Sequence, residues 1–309
     1  MKPTKKSNLY DTIIIGSGLA GCTAAIYAAR KRMNFLLLTD TFGGQFLESG
    51  NIYNYPGINK ISGFDFSALM EKQLEYNTIK PLIGVPVTKL QKHGKNFQVI
   101  TDKKKFTARS LIITTGARAR ELTIPGEQKY KNKGLTYCAI CDGPLFKNKD
   151  VTVIGGGNSA LEAADFLLNI AKSITILNLN PVFNAHEYLL EQISGHKKVK
   201  IINNAKTLEI LGNTFVSGIK YKQKNQVKIL KTQGIFVEIG RIPNTNFLKG
   251  FLKLDQHQHI IIDQTTQTSV PGVFAAGDCS SVHEYQYIIA AGQGCTALIK
   301  AARYLAQKK

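Results

Sequence analysis

An apolar strand that runs through closely spaced glycines into an alanine-rich helix occurs twice in this 309-residue chain, and few folds accommodate such a pair. Ile13-Ile14-Ile15 leads into Gly16-Ser17-Gly18-Leu19-Ala20-Gly21, with a helix predicted over 22–30 and a second strand over 35–39. The pattern returns as a strand over 151–154, the turn Gly155-Gly156-Gly157-Asn158-Ser159-Ala160, a helix over 160–170 and a strand over 173–177. Each is a βαβ unit. The first glycine permits the tight turn, the second lets backbone approach phosphates, the third lets helix pack on strand, and the pyrophosphate sits at the helix N-terminus. Ala160 stands for the third glycine of the second unit, which the pattern admits. The expectation is an α/β chain with two Rossmann-like dinucleotide-binding domains. Two plainer readings stand beside it: a strand-to-helix turn with no ligand at the first unit, and a degenerate duplicate at the second, whose downstream ribose and phosphate signals are poor. Asp40, roughly 20 residues after the last glycine, is a candidate ribose partner. Thr41, or a solvated loop, fits that place equally well.

Cys138-Ala139-Ile140-Cys141-Asp142-Gly143 carries different chemistry. In an intracellular chain a CxxC is half a zinc site or a redox pair, and no second CxxC or CxxH exists to complete four ligands, so no metal is expected. Two cysteines three apart at a helix start can close a disulfide, and the helix N-terminus stabilises the attacking thiolate. Asp142 is placed to shuttle a proton between thiol and solvent; a helix cap is its alternative role. Cys22 and Cys295, in small-residue helical contexts, read as packed thiols. Five cysteines form an odd, sparse set that suits a reducing compartment rather than a disulfide scaffold. The basic opening MKPTKKSNLY has only the short run 12–15 behind it, too little for a signal peptide, and no stretch reaches the ~20 apolar residues of a membrane span. A cytoplasmic protein with no membrane contact is expected. The net charge of +19 would suit nucleic acid or an acidic partner, but the lysines are scattered and no nucleic-acid role is read from them.

Segments 96–101 and 215–222 alternate polar and apolar residues as antiparallel hairpin strands do, inserted in a doubly wound sheet. Runs 111–116 and 234–240 are apolar and end in glycine, as buried strands near a ligand do. Residues 268–278, TSVPGVFAAGD, read as a strand ending in Gly277-Asp278, whose carboxylate can accept hydrogen bonds from a flavin's ribityl hydroxyls. With the N-terminal fingerprint, this implies that both chain ends build one FAD domain: 1–116 and 247–309, with a nicotinamide-type domain at 117–246 carrying the CxxC.

These segments together carry a resemblance. GSGLAG, GGQ at Gly43–Gln45, NYPG at Asn54–Gly57, TTGA at Thr114–Ala117, CAICDG, GGGNSA, GxxPNT at Gly240–Thr245 and GVFAAGD occur in the order and spacing of the low-molecular-weight thioredoxin reductase family, which the chain resembles over nearly its whole length. Its second half is similar to the flavoprotein component of alkyl hydroperoxide reductase, without that component's N-terminal thioredoxin-like domain. The resemblance implies a homodimeric FAD-dependent disulfide reductase whose nicotinamide domain rotates. It implies that Cys141 is the flavin-proximal sulfur, that Cys138 attacks the partner disulfide and that Asp142 is the proton donor. FAD contacts are expected from Gly16, Ser17, Gly18, Ala20, Gly21, Asp40, Gly44, Gln45, Asn54, Val87, Thr115, Gly116, Gly277, Asp278, Tyr285, Gln286 and Tyr287. Dinucleotide contacts are expected from Gly155, Gly157, Asn158, Ser159 and Ala160. The disulfide substrate is expected to be a thioredoxin-, glutaredoxin- or peroxiredoxin-type protein.

The chain departs from that family in two places. Where the family carries a His-Arg-Arg run and a later arginine for the NADPH 2′-phosphate, this chain has Asn178-Leu179-Asn180 and Asn184. A phosphate of nearly two negative charges needs fixed cations, so NADH is favoured over NADPH, with Asn178 bonding ribose hydroxyls; Lys172 or Lys197 would restore phosphate binding if the fold brought them close. Where the family has Arg-Gln-Ala, this chain has Tyr285-Gln286-Tyr287, placing an aromatic ring close to the FAD. The alternative is a ferredoxin-dependent disulfide reductase with a vestigial nicotinamide site and a basic docking surface.

Overall fold

A computed structural model of the chain describes residues 9–49, 51–52 and 54–308; the basic opening 1–8 lies outside the described residues. The described residues fall into two compact units, one from 9–49, 55–118 and 242–308, the other from 51–52, 54 and 119–241. Both are Rossmann-like α/β domains built on a parallel sheet, and the second is inserted into the sequence of the first.

In the first unit, the all-apolar end of Leu9–Ile15 is buried because the strand runs between two parallel neighbours, Phe35–Leu38 and Lys105–Ile113. Val273–Ala275, from the far end of the chain, adds in parallel to Lys105–Ile113. The register aligns Ile15 with Leu38 and Ile113, and Ile113 with Ala275. Four strands therefore end on one edge, and the residues that follow, Gly16, Thr39, Thr114 and Ala276, line it together. Asn96–Thr101 and Val87–His93 extend the sheet antiparallel on the other side, with apolar residues alternating inward. Ile13, Leu38, Phe97, Leu111 and Val273 lie in its core. The helix after the first glycines begins at Leu19, three residues before the start expected from the alanines, because Gly18 is already its extended N-cap. The long helix Tyr287–Ala306 buries Ala290, Gly294, Ala297, Leu298, Ala301 and Leu305, a stripe at helical spacing.

The second unit holds five parallel strands in the order Val199–Ile202, Ser173–Leu177, Asp150–Ile154, Gly234–Val237, Leu135–Thr136. Helix Asn158–Leu168 buries Ala160, Leu161, Ala163, Ala164 and Leu167. The alternating segment at 215–222 does not extend this sheet. It forms Val216–Gln223, the middle of a separate antiparallel sheet with Lys206–Gly212 and Gln226–Lys231. No helix among the described residues is long and apolar enough to cross a membrane.

Candidate functional site

The carboxyl edge of the first sheet is shaped by glycines in two different ways. A Cβ on Gly21 would lie 1.9 Å from the carbonyl oxygen of Gly16, and one on Gly16 would lie 2.3 Å from that of Thr114, so both are required by packing alone. A Cβ on Gly18 would meet nothing within 4 Å, and Gly18 holds φ −67°, which any residue adopts. Packing does not require glycine there; an anion approaching the backbone would. The helix it caps has no side-chain cap and no acidic residue in its first turn, leaving its N–H groups for such an anion. Gly116 also borders open space, but its φ of +65° by itself favours glycine.

Around this cradle, Ser17 is buried and its hydroxyl donates to Thr39 Oγ1 (3.0 Å) and the Thr41 carbonyl (3.2 Å), so it braces the loop. Asp40 stands exposed at the strand-end edge, its carbonyl accepting from Gly84 N (2.9 Å); Thr41 is turned to brace Ser17. Ala20 is buried beside Gly277, whose N–H donates to Gln293 Oε1 (2.7 Å). Gly44 lies against Gly18, and Gln45 Nε2 donates to the Ala117 carbonyl at 2.9 Å. Asp278 follows the strand Val273–Ala275. Gln286 stands at the N-cap position of the last helix without a side-chain capping bond. Val87 opens an antiparallel edge strand, and Asn54 belongs to the segment Gly50–Asn54 grouped with the second unit. The aromatic replacements are engaged by protein: the Tyr287 ring stacks on Phe46 (5.3 Å), its hydroxyl donates to the Gln45 carbonyl (2.9 Å), and the Tyr285 hydroxyl meets His259 Nε2 (2.9 Å). Two further residues, not singled out in the sequence, shape the edge. Gln293 holds Gly277, and Asn244 of the PNT motif clamps the Thr115–Gly116 turn, donating to the Thr115 carbonyl (2.9 Å) and accepting from Thr115 Oγ1 (2.8 Å).

The second unit has a cleft of about 500 Å³ at its strand ends, lined by Gly155, Gly156, Gly157, Asn178, Leu179, Asn180 and Asn184 among others. Its fingerprint helix again has no side-chain cap and no acid in the first turn. Ala160 is fully buried, and a Cβ on Gly155 would come within 2.8 Å of its methyl, so this pair sets the helix on the strand. Ser159 is exposed in the first turn, while Asn158 Oδ1 accepts from His186 N at 2.8 Å. Asn178 differs from expectation. It is 1% exposed, donates to the Val182 carbonyl and Asn203 Oδ1 (both 3.1 Å) and accepts from Asn180 N (3.1 Å), so its amide knits the loop and both its N–H groups are taken. Lys172 and Lys197 precede the strands Ser173–Leu177 and Val199–Ile202. In a parallel sheet that places them at the amino edge, a strand length of roughly 15 Å from the glycines, and Lys172 pairs there with Asp150 (3.4 Å). The cation that does line the cleft is Lys206, beside Glu121 and Glu238. Burial lifts the Glu238 pKa to about 8, against the pull of Arg241 and a hydrogen bond from the Ala139 N–H.

Ala139 belongs to the cysteine motif. Cys138 and Cys141 are joined as a disulfide with Cα atoms 5.3 Å apart, both part-buried. The helix expected here is a single turn, Ala139–Asp142, too short for much of a macrodipole. The local donor is the Cys141 N–H, 3.2 Å from Cys138 Sγ. Asp142 does not cap the 3₁₀ turn that follows it. Its carboxylate accepts from the Thr136 hydroxyl, and burial raises its pKa despite that bond. A carboxyl group that keeps its proton more readily, one residue from a disulfide sulfur, is suited to proton transfer. Cys22 and Cys279 are packed and fully buried, their thiol pKa values pushed by burial to about 12 and about 11, whereas Cys295, read as packed from the sequence, is only half-buried.

A glycine-lined strand-to-helix edge in each of two units, with a disulfide in the second beside a carboxyl whose pKa burial raises, is the arrangement of an oxidoreductase. The chain belongs to the pyridine nucleotide-disulphide oxidoreductase family, whose sequence profile matches residues 10–297. It is 40% identical over 98% of its length to the F component of the Escherichia coli alkyl hydroperoxide reductase, and 39% identical over 96% to an NADH dehydrogenase of Bacillus subtilis. It spans 60% and 58% of those proteins. Among solved structures, the thioredoxin reductase of Streptococcus pyogenes superposes with a TM-score of 0.91 at 35% identity, covering 98% of this chain and 100% of that one.

Proposed function

We propose that this chain is an FAD-dependent disulfide reductase that takes electrons from NADH and delivers them, through Cys138 and Cys141, to the disulfide of a thioredoxin-, glutaredoxin- or peroxiredoxin-type protein. The observation that carries the reading is the Cys138–Cys141 disulfide beside Asp142, in the unit whose own glycine fingerprint borders an open cleft. FAD fits the first cradle, because Gly18 has an ordinary φ and leaves space that packing does not require, with Asp40 and Asp278 as hydroxyl acceptors. Bound there, FAD supplies a two-electron relay between nicotinamide and disulfide. The protein's part is thiol chemistry. Two electrons and two protons open the disulfide, and Asp142 hands a proton between the dithiol and solvent. The Cys138 thiolate attacks the target disulfide and forms a mixed disulfide; Cys141 then displaces the target as a dithiol and restores Cys138–Cys141.

NADH is favoured because the loop at the end of Ser173–Leu177 offers Asn178, Leu179, Asn180 and Asn184, with no cation among them. A related Bacillus protein named NADH dehydrogenase supports the same donor. Lys206 is the counterweight, a single ammonium that shares the cleft lining with Glu121 and with Glu238, which burial keeps largely protonated at neutral pH. The reading includes a homodimer, to be checked by light scattering, and a cytoplasmic setting. Anaerobic flavin bleaching and steady-state kinetics with NADH, NADPH and reduced ferredoxin test the donor. We expect kcat/KM for NADH to exceed that for NADPH by at least tenfold. Equal or greater efficiency with NADPH overturns the preference, and bleaching by ferredoxin alone replaces the donor altogether.

A further inference from the structure

We propose that Asp255, His259 and His283 form a binding site for a divalent transition-metal ion of the zinc type, separate from the proposed redox chemistry. The sequence directs attention to the cysteines, where no metal is expected. The three residues instead lie in the C-terminal part of the first unit and offer two imidazole nitrogens and a carboxylate oxygen, all within 4.8 Å of one another.

The frame that holds them is backbone. Ile260 N donates to the Cys279 carbonyl (2.8 Å) and Ser281 N to the Ile260 carbonyl (2.9 Å), so the segment bearing His259 is tied to the one leading to His283. Asp255 is fixed by its own turn, with Oδ1 accepting from His257 N (2.8 Å) and His259 N (2.9 Å). Its other oxygen, Oδ2, faces His283 Nε2 at 3.0 Å. His259 is 2% exposed, and its Nδ1 is buried without a hydrogen-bond partner, 3.6 Å from Asp255 Oδ1. A buried ring nitrogen without a partner is uncommon and calls for an explanation. It points to a missing ligand at the place where two other donors converge.

The dimensions suit a small ion. Zinc–nitrogen and zinc–oxygen bonds of about 2.0–2.2 Å place two ligand atoms of a tetrahedral site roughly 3.4 Å apart. Asp255 Oδ2 stands 3.0 Å from His283 Nε2 and Asp255 Oδ1 3.6 Å from His259 Nδ1, and one ligand atom from each residue fits within 4.8 Å. Two imidazoles and one carboxylate are borderline ligands that prefer zinc or its neighbours to magnesium or calcium. The other ring nitrogen of His259 meets the Tyr285 hydroxyl at 2.9 Å, the outer partner that metal-bound histidines usually have. Metal on Nδ1 fixes the proton on Nε2, which then donates to Tyr285. Three protein ligands leave a fourth position for water, and His283, the most exposed of them, gives entry from solvent.

Untagged full-length protein with the Cys138–Cys141 disulfide intact, so that those sulfurs cannot bind metal, is titrated with Zn²⁺ against a chromophoric chelator of known affinity. One Zn²⁺ per chain with a Kd of 10 µM or tighter is expected. His283→Ala, a change at a half-exposed side chain, is expected to weaken it at least tenfold, Asp255→Asn likewise, and His196→Ala, distant in sequence and outside the cluster, to leave it unchanged. Far-UV circular dichroism of each variant confirms the fold, and Co²⁺ absorption on the unaltered protein provides a second reading, with intense tetrahedral bands between 500 and 700 nm expected. Wild-type protein that binds no Zn²⁺ below 100 µM, or His283→Ala and Asp255→Asn variants that bind it as well as wild type, would overturn the proposal.

Discussion

Gly18 and Gly21 stand three residues apart in one turn, yet substituting each by alanine is expected to damage different things. A Cβ at Gly21 would lie 1.9 Å from the Gly16 carbonyl oxygen, roughly 1.5 Å inside ordinary contact, and the obstacle is backbone that also carries the turn. Such overpacking costs ~3 kcal/mol or more, so Gly21→Ala should lower the melting temperature of flavin-stripped protein by about 5 °C or more. At Gly18 the same methyl meets nothing within 4 Å and φ is −67°, so the stripped Gly18→Ala protein should be as stable as wild type, or up to ~1 kcal/mol more stable through its stiffer unfolded chain. Its loss should appear only with ligand. A methyl between backbone and pyrophosphate removes one charge-assisted hydrogen bond, ~1.5–3 kcal/mol, or about 10- to 150-fold in FAD affinity. Differential scanning fluorimetry of the stripped proteins and fluorescence titration with FAD read the two effects separately. Wild-type FAD affinity in Gly18→Ala, or an unchanged melting temperature in Gly21→Ala, would refute the division of labour between these glycines.

Glu238 gives a pH prediction. Its pKa rises from 4.5 to about 8 on folding, so its stabilising contribution is full below about 4.5 and is lost as pH climbs through 8. Glu238→Gln should therefore melt higher than wild type at pH 9 and gain less, or lose, at pH 5, as read by thermal melts across pH. Asp142→Asn keeps the side-chain shape and removes the proton donor; we expect disulfide turnover to fall about 100-fold with the Cys138–Cys141 disulfide still forming. Cys22 and Cys279, with pKa values pushed to about 12 and about 11, should stay unlabelled by a thiol reagent at pH 8 in the native protein, while reduction should expose Cys138 and Cys141. Peptide mapping after labelling distinguishes them.

The fingerprints are legible in the sequence because glycine spacing is a direct record of backbone geometry: Gly16 and Gly21 lie against backbone as the tight turn and the helix packing demand, while Gly18 borders open space. The parallel strands are legible for a similar reason, since 111–113 and 273–275 are apolar without alternation, as strands covered on both faces are. What sequence distance does not supply is the edge on which a residue lies. Lys172 and Lys197 flank the right strands at the wrong ends, whereas Lys206 follows a strand whose last residue, Ile202, is in register with Leu177. Counting strand direction, rather than proximity to the asparagines, finds it. Asn178 reads as a ligand group because it follows the strand. Its short amide instead closes a turn on Asn180 N, a local bond that asparagine makes readily. Asp255, His259 and His283 give no sequence signal, because the two histidines that the fold brings together stand 24 positions apart.

Electrons are proposed to leave this protein through Cys138. This route is tested by following the reduction of a thioredoxin-type disulfide protein, with NADH in excess, by FAD-loaded wild-type protein and by FAD-loaded Cys138→Ser and Cys141→Ser. Wild type is expected to turn over repeatedly and both variants to fall to the uncatalysed rate while remaining folded and yellow. Turnover by Cys138→Ser at the wild-type rate would show that the electrons take another route.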